Sequence, residues 1–359
     1  MLAEYYQEIY LFIILLITSL VLQQYSSRVI ANTQRQTSYL PFAIAILLFF
    51  TLLIGFRPFH SSFVDMWNCA QIYNLLWGET FYFNWEVDNL FFDNCLSYFA
   101  CNSVPLEFFF LFASAIYFGG IFWAAKKIFP QDTLLAFLVC LAAFSTFSYA
   151  TNGIKAGMAT SVFLVALAYY DKKILSLFIA LFTYCMHHSM TLVIVAYIVV
   201  LFIKNPKYYF MVWGFSFLMA ALHITWFQHF FAGFTDEHGA GYLLSERNSG
   251  FRIDFIIYSA VPIIIGYYMI YKQKLQSKMY NVILSLYLLT NSVWMLCMYS
   301  NFTNRISYLS WFLYPIVLLY PFVNIYWSNR QYTYLKYVVW GHLGFTLFMT
   351  VIFYGLLGL

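Results

Sequence analysis

Uninterrupted apolar runs recur from one end of the chain to the other, and no other feature limits its fold as strongly. Each run is long enough to cross, or nearly cross, a bilayer core of ~30 Å as a helix. The alternative, a water-exposed surface, lacks its raw material. Only 9% of the residues are charged, against about 25% in a soluble domain, and mean hydropathy is +0.74. Backbone polar groups in hydrocarbon must be satisfied internally, which a helix does within one segment. The fold class is therefore all-α, a polytopic integral membrane protein. The first run, Ile9–Leu22, has the length of a signal-peptide core. Glu4 and Glu8 precede it where a signal peptide carries positive charge, and no small-residue cleavage site follows, so it is read as a span.

About twelve transmembrane helices are expected, over 9–22, 40–56, 105–125, 133–150, 153–170, 174–186, 189–203, 208–224, 253–271, 279–298, 306–326 and 335–357. The positive-inside rule orients them. With both termini outside, the inner side holds 13 of the 18 basic residues: Arg28, Arg35, Lys126, Lys127, Lys172, Lys173, Lys204, Lys207, Lys272, Lys274, Lys278, Arg330 and Lys336. The outer side keeps 12 of the 14 acidic residues. Residues 1–359 read as a single membrane domain with two long extracytoplasmic loops. Loop 57–104 contains an amphipathic piece, Met66–Trp77, suited to the membrane interface. Loop 223–252 is broken by Gly233, Gly239, Gly241 and Gly250 and reads as a lid.

Residues 174–203 carry lysines at both ends. As one helix the stretch would measure ~45 Å, too long for one crossing and short for two. A helical hairpin with arms of ~20–24 Å resolves the conflict. Its tip is His187-His188-Ser189, placed inside the bundle and facing a cavity that opens outward.

Five cations remain on the outer side: Arg57, Lys155, Arg247, Arg252 and Arg305. Four stand at the mouths of spans. One reading is snorkelling to headgroups; the other is an anion site, since cations near hydrocarbon are costly and kept for partners or function. Arginine donates two parallel hydrogen bonds to a phosphate. Lys155 opens a helix after Asn152-Gly153, where free amides also favour anions. A lipid-linked phosphate or pyrophosphate suits a site that opens at the membrane. His187 and His188 are either helix-packing hydrogen-bonders or a general base for an attacking hydroxyl, with Ser189 to orient the ring. His60, His223, His229 and His238 are further outer histidines. Cys140, Cys185 and Cys297 read as core residues. Cys69, Cys95 and Cys101 share one polar segment, where an oxidising compartment would allow one disulfide. No Cys-x-x-Cys spacing supports a metal site, and no cofactor is expected.

Several short motifs occur in an order that resembles the EpsG-like branch of Wzy-type polysaccharide polymerases. Gly55-Phe56-Arg57 closes a span and is followed by Asp65 and Tyr73. "NGIKAGMA" opens a mid-chain helix, with Lys155 and Ala156 where Arg and Gln are usual and Ala159 kept. His187-His188-Ser189 follows, and then Arg305-Ile306-Ser307-Tyr308. The resemblance covers roughly 50–320. It implies an enzyme of the bacterial cytoplasmic (inner) membrane that joins O-antigen-like repeat units at its periplasmic face. Donor and acceptor would be polyprenyl-pyrophosphate-linked oligosaccharides, and a flippase and a chain-length regulator would be its protein partners; no nucleic acid is implied. It favours His187 as base, with His188 beside it and Asp65 orienting an arginine or a sugar hydroxyl. Arg57, Arg252 and Arg305, with Arg247 and Lys155, would hold the pyrophosphate. Lysine at 155 keeps the charge but not the planar fork.

Three rivals remain. A GT-C type glycosyltransferase would use an acidic pair such as Glu86 and Asp88 on the first loop. A lipid-linked glycan flippase would need charge through the depth of the bundle and an inverted repeat. A membrane acyltransferase would need a polar intramembrane constellation on the cytoplasmic side. Neither of the last two patterns is visible.

Overall fold

The computed structural model describes residues 3–24, 35–232, 241, 243–245, 250–301 and 303–356. Among these residues the secondary structure is helical throughout, as a polytopic membrane protein requires. Arg28, Arg247 and His238, and most of the expected lid, lie outside the described residues.

The helices are α1 (Tyr6–Gln24), α2 (Arg35–Gly55), α3 (Val64–Leu75), α4 (Leu90–Cys101), α5 (Leu106–Ile128), α6 (Thr133–Leu141), α7 (Thr146–Thr151), α8 (Ile154–Ala168), α9 (Lys173–Met186), α10 (Met190–Phe202), α11 (Pro206–Ala221), α12 (Trp226–Ala232), α13 (Ile253–Tyr267), α14 (Lys278–Leu296), α15 (Thr303–Trp311), α16 (Tyr314–Val323) and α17 (Gln331–Leu347). π-helical turns extend α13 to Lys272 and α17 to Leu356. The chain forms two compact units. The first comprises 1–191, 322–324 and 328–359, and the second 192–321 and 325–327.

Six helices among the described residues are long and apolar enough to cross a membrane; a seventh arises if α11 and α12, bent by 114°, form one span. Four more apolar helices are shorter, including α8, α9 and α10. The expected count of twelve is therefore not met by helices of spanning length. The expected span 133–150 shows the reason. Its helix stops at Leu141 and restarts at Thr146. A helix end leaves its last carbonyls without partners, which is costly away from water. Here four side chains supply them. His342 bonds Val139 O at 3.1 Å, Thr146 Oγ1 donates to Cys140 O at 2.7 Å, Tyr10 OH to Leu141 O at 2.9 Å and Thr346 Oγ1 to Ala142 O at 2.9 Å. Residues of α1 and α17 thus stabilise a break that apolar sequence alone does not announce.

In the first unit α5 is central, packing on α2 and α8, and α8 in turn packs on α9. The segment 57–104 is folded: α3 packs on α4, and α4 on α5 and α9. A helix forms over much of the expected piece, but it is not amphipathic: α3 buries Met66, Cys69, Ala70 and Tyr73 and leaves the equally apolar Trp67, Ile72 and Leu75 exposed. The possible disulfide is not formed. Cys69, Cys95 and Cys101 are free thiols, and Cys69 is buried on α3.

In the second unit α14 packs on α11 and α15. A polar knot fixes them. Buried Asn291 donates from Nδ2 to Ser259 Oγ and Ser310 Oγ, both at 3.0 Å, and accepts from Trp213 Nε1 at 2.9 Å. Trp311 Nε1 also donates to Ser259 Oγ, at 2.8 Å. Small hydroxyls let helices approach closely, and each bond satisfies a group that could not be left bare in hydrocarbon.

Candidate functional site

The histidine triplet falls at the expected break: α9 ends at Met186 and α10 begins at Met190. His187 caps α9 in extended backbone geometry. Its Nδ1 accepts the Ser189 backbone N–H at 3.1 Å. An Nδ1 that accepts carries no proton, so the neutral ring holds its hydrogen on Nε2 and presents a donor there. His188 lies beside it, ring centroids 5.2 Å apart, and both are half-buried. Its backbone N–H donates to Asn89 Oδ1 at 3.4 Å.

Asn89 is the N-cap residue of α4 and is buried. Asp93, one turn on, accepts through Oδ2 from the Asn89 backbone N–H at 3.1 Å and from Asn89 Nδ2 at 3.4 Å. The other oxygen, Oδ1, takes Lys155 Nζ at 2.6 Å. Lys155 also stands over the Phe92 ring, 5.0 Å from its centroid. A continuous chain of contacts therefore runs from the cation on α8, through α4, to the histidine turn.

The start of α8, next to Lys155, makes an acidic contact of its own. Asp65, in the first turn of α3, accepts the Ile154 backbone N–H at 3.2 Å. The leading amide of α8, expected to be open to an anion, is thus engaged by a carboxylate 89 residues earlier in the chain. An N-terminal carboxylate suits the helix dipole.

Arg57 sits two residues beyond α2 and is only 2% exposed. Its Nη1 donates to Ile54 O at 2.8 Å, and its guanidinium stacks near Phe110 (4.8 Å) and Phe63 (5.5 Å). Nε and Nη2 are buried without a hydrogen-bond partner. Burial lowers its pKa to about 10, a shift opposed by Cys69, Tyr6 and Asp65, so it stays cationic at neutral pH. It lines a narrow crevice with Ser114, Tyr117, Tyr149 and Ile154.

The second unit holds the other cations. Arg252 makes a two-point contact with Asp254, Nε to Oδ1 at 2.9 Å and Nη2 to Oδ2 at 2.6 Å, and lies 3.6 Å from the Phe255 ring centroid. Arg305 is exposed in the first turn of α15.

Residues 40–356 match the model of the EpsG family. The chain belongs to the EpsG family. No curated protein and no solved structure matches it. The EpsG match takes in every candidate residue from Arg57 to Arg305 and leaves out α1.

Within this EpsG protein, the first unit brings together Arg57, Asp65, Lys155, His187 and His188. Asn89 and Asp93, which join Lys155 to the histidine turn, are absent from the sequence-based set. Their signal was an Asn and an Asp four residues apart, a spacing that places both on one face of a helix. His60 bonds Ser62, Nδ1 to Oγ, at 3.0 Å, and His223 stacks on Tyr299 with centroids 3.9 Å apart. Glu86 and Asp88 are both exposed.

Proposed function

We propose that the protein is a polysaccharide polymerase that joins polyprenyl-pyrophosphate-linked repeat units at the outer face of the bacterial cytoplasmic membrane. Membership of the EpsG family supports the class of activity. The observation that carries the site is the chain Lys155–Asp93–Asn89–His188, which couples a cation to a histidine turn inside one unit. Topology follows the positive-inside reading, with segment 57–104 outside.

In the proposed reaction an acceptor hydroxyl oxygen attacks the anomeric carbon of the donor glycan. The bond from that carbon to the pyrophosphate oxygen breaks, and polyprenyl pyrophosphate leaves with the electron pair. The hydroxyl proton passes to a base. His188 takes that part, because His187 Nδ1 is engaged by Ser189 and the neutral ring offers a donor at Nε2. His187 then donates to a substrate oxygen. Lys155 uses one of its three N–H donors on Asp93 and keeps the others for the leaving phosphate. Asp93 and Asn89 are positioning residues. Asp65 is one as well, by fixing the start of α8. Arg57, buried in the lining of the crevice, contributes positive field and two N–H donors not used within the protein. Arg247, Arg252 and Arg305 are candidates for substrate phosphate on sequence grounds alone.

Deletion of the gene with wild-type complementation tests the activity. A surface glycan that collapses from a ladder to a single repeat unit supports polymerisation. Loss of every surface repeat would favour a flippase instead.

A further inference from the structure

Residues 78–88, between α3 and α4, play no part in the reaction above, and their construction is unusual. They run back along α4 as a fixed strap. The Gly78 N–H donates to Ala100 O at 3.2 Å, and Phe81 packs edge-on to Tyr98 at 5.4 Å. Asn94, buried on α4, clasps Asn84 twice: the Asn84 N–H donates to Asn94 Oδ1 at 2.7 Å, and Asn94 Nδ2 donates to Asn84 O at 2.8 Å. Apolar area stabilises a fold where it is buried, so a strap anchored this firmly would ordinarily bury its largest side chains. It does the opposite. Tyr82 is 79% exposed and Trp85 77%, with the Phe83 ring 4.6 Å from that of Trp85.

The surrounding charge identifies what would cover these rings. Glu79, Glu86 and Asp88 on the same strap are all exposed, and no lysine or arginine occurs anywhere from residue 58 to 125. Carboxylates accept hydrogen bonds and donate none. They suit hydroxyl groups and repel phosphates. Aromatic faces carry negative quadrupole density, which attracts the slightly positive C–H faces of a sugar ring. A membrane-surface anchor would instead carry lysine and arginine for anionic headgroups. We infer that the strap Tyr82–Asp88 is a carbohydrate-binding platform, occupied by sugars of the repeat unit or growing chain away from the pyrophosphate. The identity of that glycan rests on the polymerase reading. The platform and the proposed site share α4, on which Asn94 follows Asp93 directly.

Binding, measured without turnover, tests this. The probe is the repeat-unit oligosaccharide released from the host's glycan lipid by mild acid, free of lipid and phosphate. The full-length protein is held in nanodiscs of phosphatidylcholine and titrated by calorimetry. The wild type is expected to bind. The double variant Tyr82→Ala/Trp85→Ala is expected to bind about tenfold or more weakly. Both ring positions are exposed, so the double variant keeps its fold, checked by an unchanged Tm. No binding by the wild type, or equal binding by the double variant, overturns the platform. Acyl-brominated lipid separates the membrane alternative: if it quenches wild-type fluorescence more than that of Trp85→Phe, the ring lies in lipid and the inference fails. A protein that binds through the strap but joins no units defeats the polymerase reading alone.

Discussion

Asn89 concentrates the residue-scale logic of the first unit. It occupies the N-cap position of α4, donates to Asp93 and accepts from the His188 amide. One hydrogen bond contributes about 0.5–1.5 kcal/mol, enough to shift a turn that must aim an imidazole. Asn89→Ala is expected to lower the polymerisation rate about tenfold, while Asn89→Asp, which keeps the acceptor, should recover part of it; in vitro rates at matched protein levels decide. Asp93→Asn should act similarly, and Lys155→Arg should be milder than Lys155→Ala. The thiol of Cys69 gives an independent check on packing. Burial, reinforced by Asp65, pushes its pKa up to about 12. An unperturbed thiol titrates near 8.5, so a raised value leaves less thiolate at pH 8. Iodoacetamide should therefore label Cys69 far more slowly than Cys101 at that pH, and labelling should speed up as pH rises. The charged and imidazole residues were legible in sequence because they stand out against apolar neighbours. Asn89 and Asp93 were not, because in a polar segment an amide and a carboxylate look like solvated surface until a helix stacks them.

At the scale of elements, close approach and borrowed caps decide the geometry. α5 meets α8 at Gly120, where a Cβ would lie 2.9 Å from the Ser161 backbone carbonyl carbon and oxygen. Gly120→Val must push these helices apart, and a fall in Tm of several degrees in detergent is the expected result. The strap depends on Gly78 with φ +73° and on the Asn94 clasp. Asn94→Ala should leave the strap open to limited proteolysis between residues 79 and 88, with other fragments unchanged. The break at the histidine triplet was readable, because lysines flanked a run too long for one crossing. The break after Leu141 was not. Its partners Tyr10, His342 and Thr346 lie up to 204 residues away, and nothing in 133–150 itself calls for them.

Across the whole molecule, composition settled the class, charge sidedness carries the proposed orientation, and apolar runs overcounted the helices of spanning length. The proposed topology has its own test. Cysteines introduced at Ser62 and Glu86 should react with a membrane-impermeant maleimide added to intact cells, and one at Lys274 should not. The reverse pattern would invert the molecule and place the site on the wrong side for a polymerase. The central claim is that the Lys155–Asp93–Asn89–His188 chain serves the joining of repeat units. The most direct measurement reconstitutes the purified protein in liposomes with the lipid-linked repeat unit and resolves the products by length. A ladder from the wild type, with only single units from His188→Ala at equal protein level, is the predicted result. A ladder of unchanged length from His188→Ala, or none from the wild type, would contradict it.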